Sequence, residues 1–420
     1  MTPQTRAACE ALDARDPLAR LRTLYELPDG VIYLDGNSLG PLPRATAGHV
    51  ERSLREDWGR GLIRSWNTAG WIDLPQRIGD RIARLVGADA GEVVVADSTS
   101  VNLFKVLSAA LRLRPERRVI VSERGNFPTD LYVAQGLVRQ LGMRHELRLV
   151  ERDAIGAAID ADCAVLMLTQ VDYRSGSRLD IAGLTARAHR AGALAIWDLA
   201  HSAGAFEVDL NAARADFAVG CGYKYLNGGP GAPAFVFVAR RHQEAFVQPL
   251  SGWMGHAAPF AFETGYRGAS GIARALCGTP PVLSMVALGA GVDTLLACEE
   301  LGGMAALRAK SVALTELFIA LVEARCAGHG LALATPREPD ARGSQVSFSM
   351  ADGEAGHAVM QALIARGVIG DFRAPDILRF GFAPSYLRHV DVWDAVEQLR
   401  EVLESREWDQ PGFRRRQAVT

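Results

Sequence analysis

Between residues 92 and 239 the chain alternates short apolar runs with longer stretches of helical periodicity. The runs fall at 92–97, 118–122, 146–150, 164–168, 194–197, 217–219 and 234–239. They are rich in Val, Ile and Leu, too short for helices, and mostly bounded by Gly, Asp, Asn or Ser, so they read as buried strands. Between them, 76–85, the stretch through Leu103, Val106, Leu107 and Ala110, the stretch from Asn126 to near Gly142, and the stretch through Leu184, Ala188 and Ala191 read as helices. A short helix is expected near Ala154. Strands alternating with helices predict an α/β fold with a mostly parallel sheet covered on both faces.

The pattern changes after about residue 282. Long Ala- and Leu-rich helical stretches occupy 284–301 and 305–327. Short strands at 331–334, 344–349 and 377–382 follow, with a helix at 356–366 that stops at Gly367 and a last helix at 391–404. This predicts a smaller C-terminal α+β domain. Residues 1–30 read as a helical lead-in, and the charged tail after Arg406 as frayed. At 32–41 a short strand enters a loop of Gly, Asn, Ser and Pro, either a plain turn or a polar loop that closes over a ligand. Two Trp and two Arg crowd into residues 58–66; taken alone, that stretch reads as surface packing.

Composition narrows the function classes. With 22% charged residues and a net charge of −2, the chain has no general attraction for polyanions, so nucleic acid is not an expected partner. The apolar runs read as too short to span a membrane, and no signal peptide is expected near Glu10, Asp13 and Asp16. Six scattered cysteines without a Cys-x-x-Cys pair fit a reduced, cytoplasmic protein. No metal centre is expected.

The candidate chemistry falls at the carboxyl ends of the predicted strands, where parallel sheets bind ligands. Ser98, Thr99 and Ser100 follow one strand and start a helix, which suits an N-cap or an anion site. Asn126 to Asp130, Thr169, and Asp198 with His201 follow others. Then comes Lys224, in a turn with five glycines between residues 220 and 231. A lysine held there is either a structural accident or a nucleophilic amine of depressed pKa. As a Schiff-base amine it suits pyridoxal phosphate. Thr99 and Ser100 would hold the phosphate, Phe127 would stack on the ring, and Asp198 would keep the pyridine nitrogen protonated.

At these residues the chain resembles the bacterial kynureninases, among the aminotransferase-like, fold-type-I pyridoxal phosphate enzymes. The resemblance is carried by residues 34–41, 101–103, 126–130, 197–204, 222–231 and Gly252-Trp253-Met254-Gly255-His256. It implies a large cofactor domain at 51–285 with a seven-stranded-type sheet, and a small domain at 286–420. Residues 1–50 would pack with the small domain at the active-site entrance. It implies a homodimer with shared active sites. The cofactor contacts it implies are Thr99, Ser100, Phe127, Pro128, Thr129, Asp130, Thr169, Asp198, His201, Tyr223 and Lys224, with Trp253 and Thr279 from the partner subunit. Arg379 would clamp the substrate carboxylate bidentately, helped by Asn37 and Ser38; the bland alternative for Arg379 is a surface salt bridge. Asp198, Tyr223 and Lys224 would be catalytic, and Trp66 is a candidate wall for the aniline ring. The implied reaction is hydrolysis of L-kynurenine, or its 3-hydroxy derivative, to the anthranilate and L-alanine in tryptophan degradation. The alternatives are a cysteine desulfurase or selenocysteine lyase, which would need a reactive loop cysteine, and a non-catalytic protein on the same fold.

Overall fold

The computed structural model describes residues 5–416. All seven predicted runs are strands of one sheet: β1 (Val93–Val95), β2 (Val119–Glu123), β3 (Glu146–Val150), β4 (Cys163–Thr169), β5 (Leu194–Asp198), β6 (Phe217–Gly220) and β7 (Phe235–Val238). Their spatial order is β1-β7-β6-β5-β4-β2-β3. Only β7 is antiparallel to its neighbours.

The two-residue period of a strand sorts these side chains into two cores. Val94, Ile120, Val165, Ile196, Val219 and Val236 pack on one face with Leu103, Val106 and Leu107 of α1 (Thr99–Arg112) and Ala134 and Leu137 of α2 (Pro128–Gln140). Val93, Val121, Leu166, Trp197, Ala218 and Phe235 belong to the other face. There they join Ile78 and Ile82 of the helix Leu74–Leu85 and Met285, Leu288 and Val292 of α3 (Val282–Leu296). Six of the strands are therefore sandwiched and apolar nearly throughout, whereas the edge strand β3, Glu-Leu-Arg-Leu-Val, is only partly covered and alternates.

The C-terminal part carries a second, antiparallel sheet of β8 (Leu331–Leu333), β9 (Gln345–Met350), β10 (Asp371–Arg373) and β11 (Ile377–Gly381), ordered β8-β9-β11-β10. The helices α4 (Gly303–Arg325), α5 (Gly353–Ala365) and α6 (His389–Ser405) belong with it. Gly367, just past α5, has φ 84°, the left-handed C′ conformation expected of it. The N-terminal segment joins this part of the molecule. Asp13 accepts hydrogen bonds from the first backbone N–H groups of α6, at 2.7 Å from His389 N and 2.9 Å from Val390 N. Ile32–Tyr33 pairs in parallel with Val368–Ile369, and Asp35 bridges to Gly381.

Two expectations need correcting. The tail after Arg406 is anchored as far as residue 416. Trp408 lies against the guanidinium groups of Arg406 and Arg414, at 5.7 and 5.8 Å, and Arg366 pairs with Glu407 at 2.5 Å. Charges that read as a solvated tail are the anchors; residues 417–420 lie outside the described region. Second, the helical run Val282–Leu301 is long and apolar enough to cross a membrane by length and composition. Half of it is buried inside the fold, where α3 packs on the helices Arg44–Arg52 and Leu74–Leu85. Its all-round apolarity is that of a core helix.

Candidate active site

The carboxyl ends of the central strands bring ten of the expected residues around one cavity of about 170 Å³: Thr99, Ser100, Phe127, Thr129, Asp130, Thr169, Asp198, His201, Tyr223 and Lys224. Pro128 is the first residue of α2, where a missing N–H costs nothing, and does not line the cavity.

Lys224 hangs in the turn between β6 and β7. Gly222 permits that turn, since a Cβ there would lie 2.3 Å from the Pro233 carbonyl oxygen. The expected polar loop backs it: Gly40 N donates to Tyr223 O at 2.8 Å, and a Cβ on Gly40 would lie 2.5 Å from Lys224 O. Lys224 Nζ is 2.9 Å from His201 Nε2 and 6.0 Å from the Phe127 ring centre. Burial lowers its pKa below that of an ordinary lysine, and Arg379 and Arg373 push the same way against Cys221 and Asp198. Burial also pushes the Tyr223 hydroxyl up, so it keeps its proton at neutral pH.

Two carboxyl groups meet at the other side of the cavity. Burial pushes both Asp130 and Asp198 up, and Asp130, which also feels the charge of Asp198, is raised far above the usual carboxylate range. Asp198 is held down by the Ala200 N–H, 2.7 Å from its Oδ1, and by Lys224. Of the pair, Asp130 is the one pushed further toward its protonated form, and Asp198 is the first to carry negative charge. Thr169 Oγ1, 3.1 Å from Asp130 Oδ2, orients the pair.

At the start of α1 the N-cap is Ser98, whose Oγ accepts from Val101 N at 3.4 Å. That leaves the Thr99 and Ser100 hydroxyls for a ligand, and Thr99 Oγ1 is buried without a hydrogen-bond partner. An anion would satisfy it together with the free N–H groups of the first turn. Sequence reasoning missed what secures this turn. Asp97 adopts φ 46° and pairs with Lys105, whose side chain is fully buried and whose Nζ also donates to Ala275 O at 2.8 Å.

Ser98 as the cap, the orphaned Thr99 hydroxyl, the Asp198 carboxyl and the buried amine of Lys224 fit a phosphorylated, electron-poor aldehyde such as pyridoxal phosphate. The aromatic neighbours fit a flat ring: Phe127 meets Tyr173 edge-on at 5.2 Å, and both line the cavity.

Arg379, Asn37 and Ser38 lie beside the cavity rather than in its wall. Arg379 is 1% exposed, so the surface salt bridge is ruled out. Its Nε donates to Asp371 Oδ1 at 2.8 Å, Nη2 to Asp371 Oδ2 and to Ser38 Oγ at 2.7 Å, and Nη1 to Tyr173 O at 2.8 Å. Among the described residues this leaves one Nη1 N–H without a partner. A bidentate grip on a carboxylate requires a second N–H, and Ser38 is the neutral partner able to yield one. Asn37 packs against Gly381, where a Cβ would come within 2.0 Å of its Oδ1.

Asp35 adds a titratable charge to this cluster, 3.9 Å from Arg379 Nη2. Burial, with the charge of Asp371 in the same direction, raises its pKa to about 7. Below that pH Asp35 is neutral, and Arg379, Arg373 and Asp371 leave one net positive charge; above it the cluster is neutral. Binding of a carboxylate ligand should therefore weaken by about 3- to 10-fold between pH 6 and pH 8. Asp35→Asn should flatten that dependence, measured as dissociation constant against pH. An identical slope in both proteins removes Asp35 from the role.

Trp253 and Thr279 are apart from the cavity. Trp253 is 39% exposed and stands edge-on to Phe260 at 5.6 Å. Thr279 lines a separate groove of about 360 Å³ with Trp58, Trp66 and Trp71. The stretch read as surface packing is thus one wall of an aromatic groove, with Trp66 edge-on to Trp71 at 5.9 Å.

The sequence profile of the kynureninase C-terminal domain matches residues 307–399. A kynureninase of Burkholderia pseudomallei (strain 1106a) is 57% identical over 422 residues, covering 99% of this chain and 100% of the relative. A kynureninase of Pseudomonas fluorescens is 56% identical over 421 residues, with the same coverage. Among solved structures, the apo cysteine desulfurase from Thermococcus onnurineus NA1 superposes with a TM-score of 0.76 at 19% identity, covering 92% of this chain and 98% of that one. A cystine C-S lyase in complex with cysteine persulfide gives 0.74 at 16% identity, covering 89% and 98%. At those identities the structural likeness establishes the shared fold, the fold-type-I architecture. Identity above half over the full length of the curated relatives establishes the rest: the chain belongs to the kynureninase family.

Proposed function

We propose that this protein is a pyridoxal phosphate-dependent hydrolase that cleaves the Cβ–Cγ bond of L-kynurenine, or of its 3-hydroxy derivative, giving the anthranilate and L-alanine. The observation that carries this reading is that Lys224 and Asp198 line one cavity, with Arg379 hydrogen-bonded to Tyr173 of the same wall. When bound, pyridoxal phosphate supplies an aldehyde for the lysine and an electron-withdrawing ring. Thr99 and Ser100 would hold its phosphate, Phe127 and Tyr173 would border its ring, and Asp198 would balance the pyridinium charge.

The chain's own residues divide the remaining work. Arg379 orients the substrate by its carboxylate. Lys224, as a free amine of lowered pKa, takes the proton from the substrate Cα at Nζ and holds it within reach of His201. Tyr223 retains its hydroxyl proton and can give it up to a leaving carbon. Water attacks the γ-carbonyl, so the bond that breaks is the one between Cβ and Cγ.

We infer a homodimer. Trp58, Leu62, Ile63, Phe260 and Phe262 are between 56% and 77% exposed, large apolar side chains that a partner subunit would cover. A second copy covering it would bring Trp253 and Thr279 to the opposite active site, and Trp66 to the aniline ring. Six free cysteines support a cytoplasmic setting, and we propose no nucleic-acid or membrane partner. The cysteine of the C-terminal part weighed for the desulfurase alternative does not read as a reactive loop thiol. Cys326 is 2% exposed, stands at the C-terminal cap of α4, and burial pushes its pKa up to about 12.

The test is product formation by cofactor-loaded protein. Anthranilate fluorescence should rise from L-kynurenine with an equal amount of alanine. Alanine released from cysteine, with no anthranilate from either kynurenine, would overturn the assignment.

A further inference from the structure

We propose that Gln345 is a positioning residue that fixes the imidazole of His201 with its proton on Nδ1, so that the Nε2 lone pair faces Lys224. The inference rests on the reading of Lys224 as the cofactor-bearing amine.

Gln345 opens β9 in the C-terminal sheet and is 1% exposed. Its amide orientation is decided by chemistry. Nε2 lies 3.3 Å from Asp172 O and 3.3 Å from Tyr173 O, and both of those atoms can only accept. Oε1 is therefore the atom 3.0 Å from His201 Nδ1. An amide oxygen cannot donate, so Nδ1 carries a proton. A neutral imidazole has one N–H, so Nε2, 2.9 Å from Lys224 Nζ, is the acceptor of that pair. The ring is neutral: burial and the charges of Lys224, Arg379 and Arg373 all oppose its protonation.

The placement of Gln345 is tight. A Cβ on Gly176, which has φ 74°, would lie 2.6 Å from Gln345 Cγ, so the loop can close over the side chain only with glycine there. On the other side Gln345 pairs with Gly381 in β11, the strand that carries Arg379. One small-domain glutamine thus ties the proton state beside Lys224 to the strand of the carboxylate clamp.

The consequence is directional. An acceptor beside Lys224 favours the proton-bearing form of its nitrogen, whereas an N–H there would oppose it. Without the Gln345 oxygen the ring proton is free to move to Nε2.

The experiment uses cofactor-loaded protein labelled with ¹⁵N-histidine, the ring of His201 being identified by its loss in His201→Gln. In the unmodified protein the proton should sit on Nδ1. Gln345→Met should lose that preference and lower the pH midpoint of the lysine-linked visible band by about one unit. Gln345→Glu, which keeps an acceptor, should retain the Nδ1 proton. An Nε2 proton in the unmodified protein overturns the inference even if no variant folds. An unchanged tautomer and midpoint in Gln345→Met overturns it too. In either case a protein that still holds the cofactor on Lys224 and cleaves kynurenine leaves the functional reading standing. Failure to take the cofactor on Lys224 removes both.

Discussion

Lys224→Ala protein supplied with pyridoxal phosphate should show no visible absorption band of a lysine-linked cofactor, and kcat should fall by about 10³-fold or more. The loss is large because, on the proposed reading, one amine would do two jobs: carry the cofactor and then move the proton at the substrate Cα. Folding should survive. Nζ is hydrogen-bonded to His201 and faces a cavity, so truncation removes a costly desolvated amine and leaves no buried charge that depended on it alone. Asp198 keeps the Ala200 N–H. Lys224→Arg tests the chemistry separately, because a guanidinium keeps the positive charge but does not condense with an aldehyde at neutral pH. Both variants should melt within a few degrees of the unmodified protein. Retention of the visible band in Lys224→Ala, or borohydride fixing the cofactor elsewhere, removes Lys224 from its role.

The residues of the cavity were readable in advance because parallel strands end on one side of a sheet. Ser100, Phe127, Thr169, Asp198 and Lys224 each follow a run of apolar residues, so knowing the sheet was parallel was enough to bring them together. What the pattern did not contain were the side-chain partners. Gln345 and His201 are 144 residues apart and meet where the first residue of β9 reaches the loop after β5, which no periodicity encodes. The pairing of Lys105 with Asp97 was hidden for another reason: a lysine on an apolar helix face reads as a break in the pattern until its buried acceptor is seen. Asp371–Arg373 escaped notice as a strand because it is three residues long, preceded by Gly370 and followed closely by Pro375. With β10 unseen, Asp371 could not be placed opposite Arg379. The guanidinium that the sequence suggested as an open fork is in fact already engaged on three sides.

That engagement shapes the second large effect. Arg379→Lys should raise KM for kynurenine by about 10²-fold, while the inhibition constant of a decarboxylated analogue changes by less than about threefold. The planar fork serves Asp371, Ser38 and Tyr173 and, on the proposed reading, would serve the incoming carboxylate as well; an ammonium cannot satisfy that geometry. Arg379→Ala is the harsher version and mixes two effects. Asp371 is 1% exposed and would keep only Arg373, 2.6 Å away, as a charged partner. Removing one member of such a buried pair typically costs about 3–5 kcal/mol, so the alanine variant should melt well below the unmodified protein. Lysine keeps the charge and so separates substrate binding from folding. Ser38→Ala completes the comparison. It frees the Nη2 N–H that a bidentate grip needs, at the loss of the Ser38 hydroxyl's bonds with Arg379, Asp371 and Arg373, so KM should change by no more than about threefold in either direction. If Arg379→Lys weakens kynurenine and its decarboxylated analogue equally, the guanidinium is holding the walls of the site and not the substrate's carboxylate.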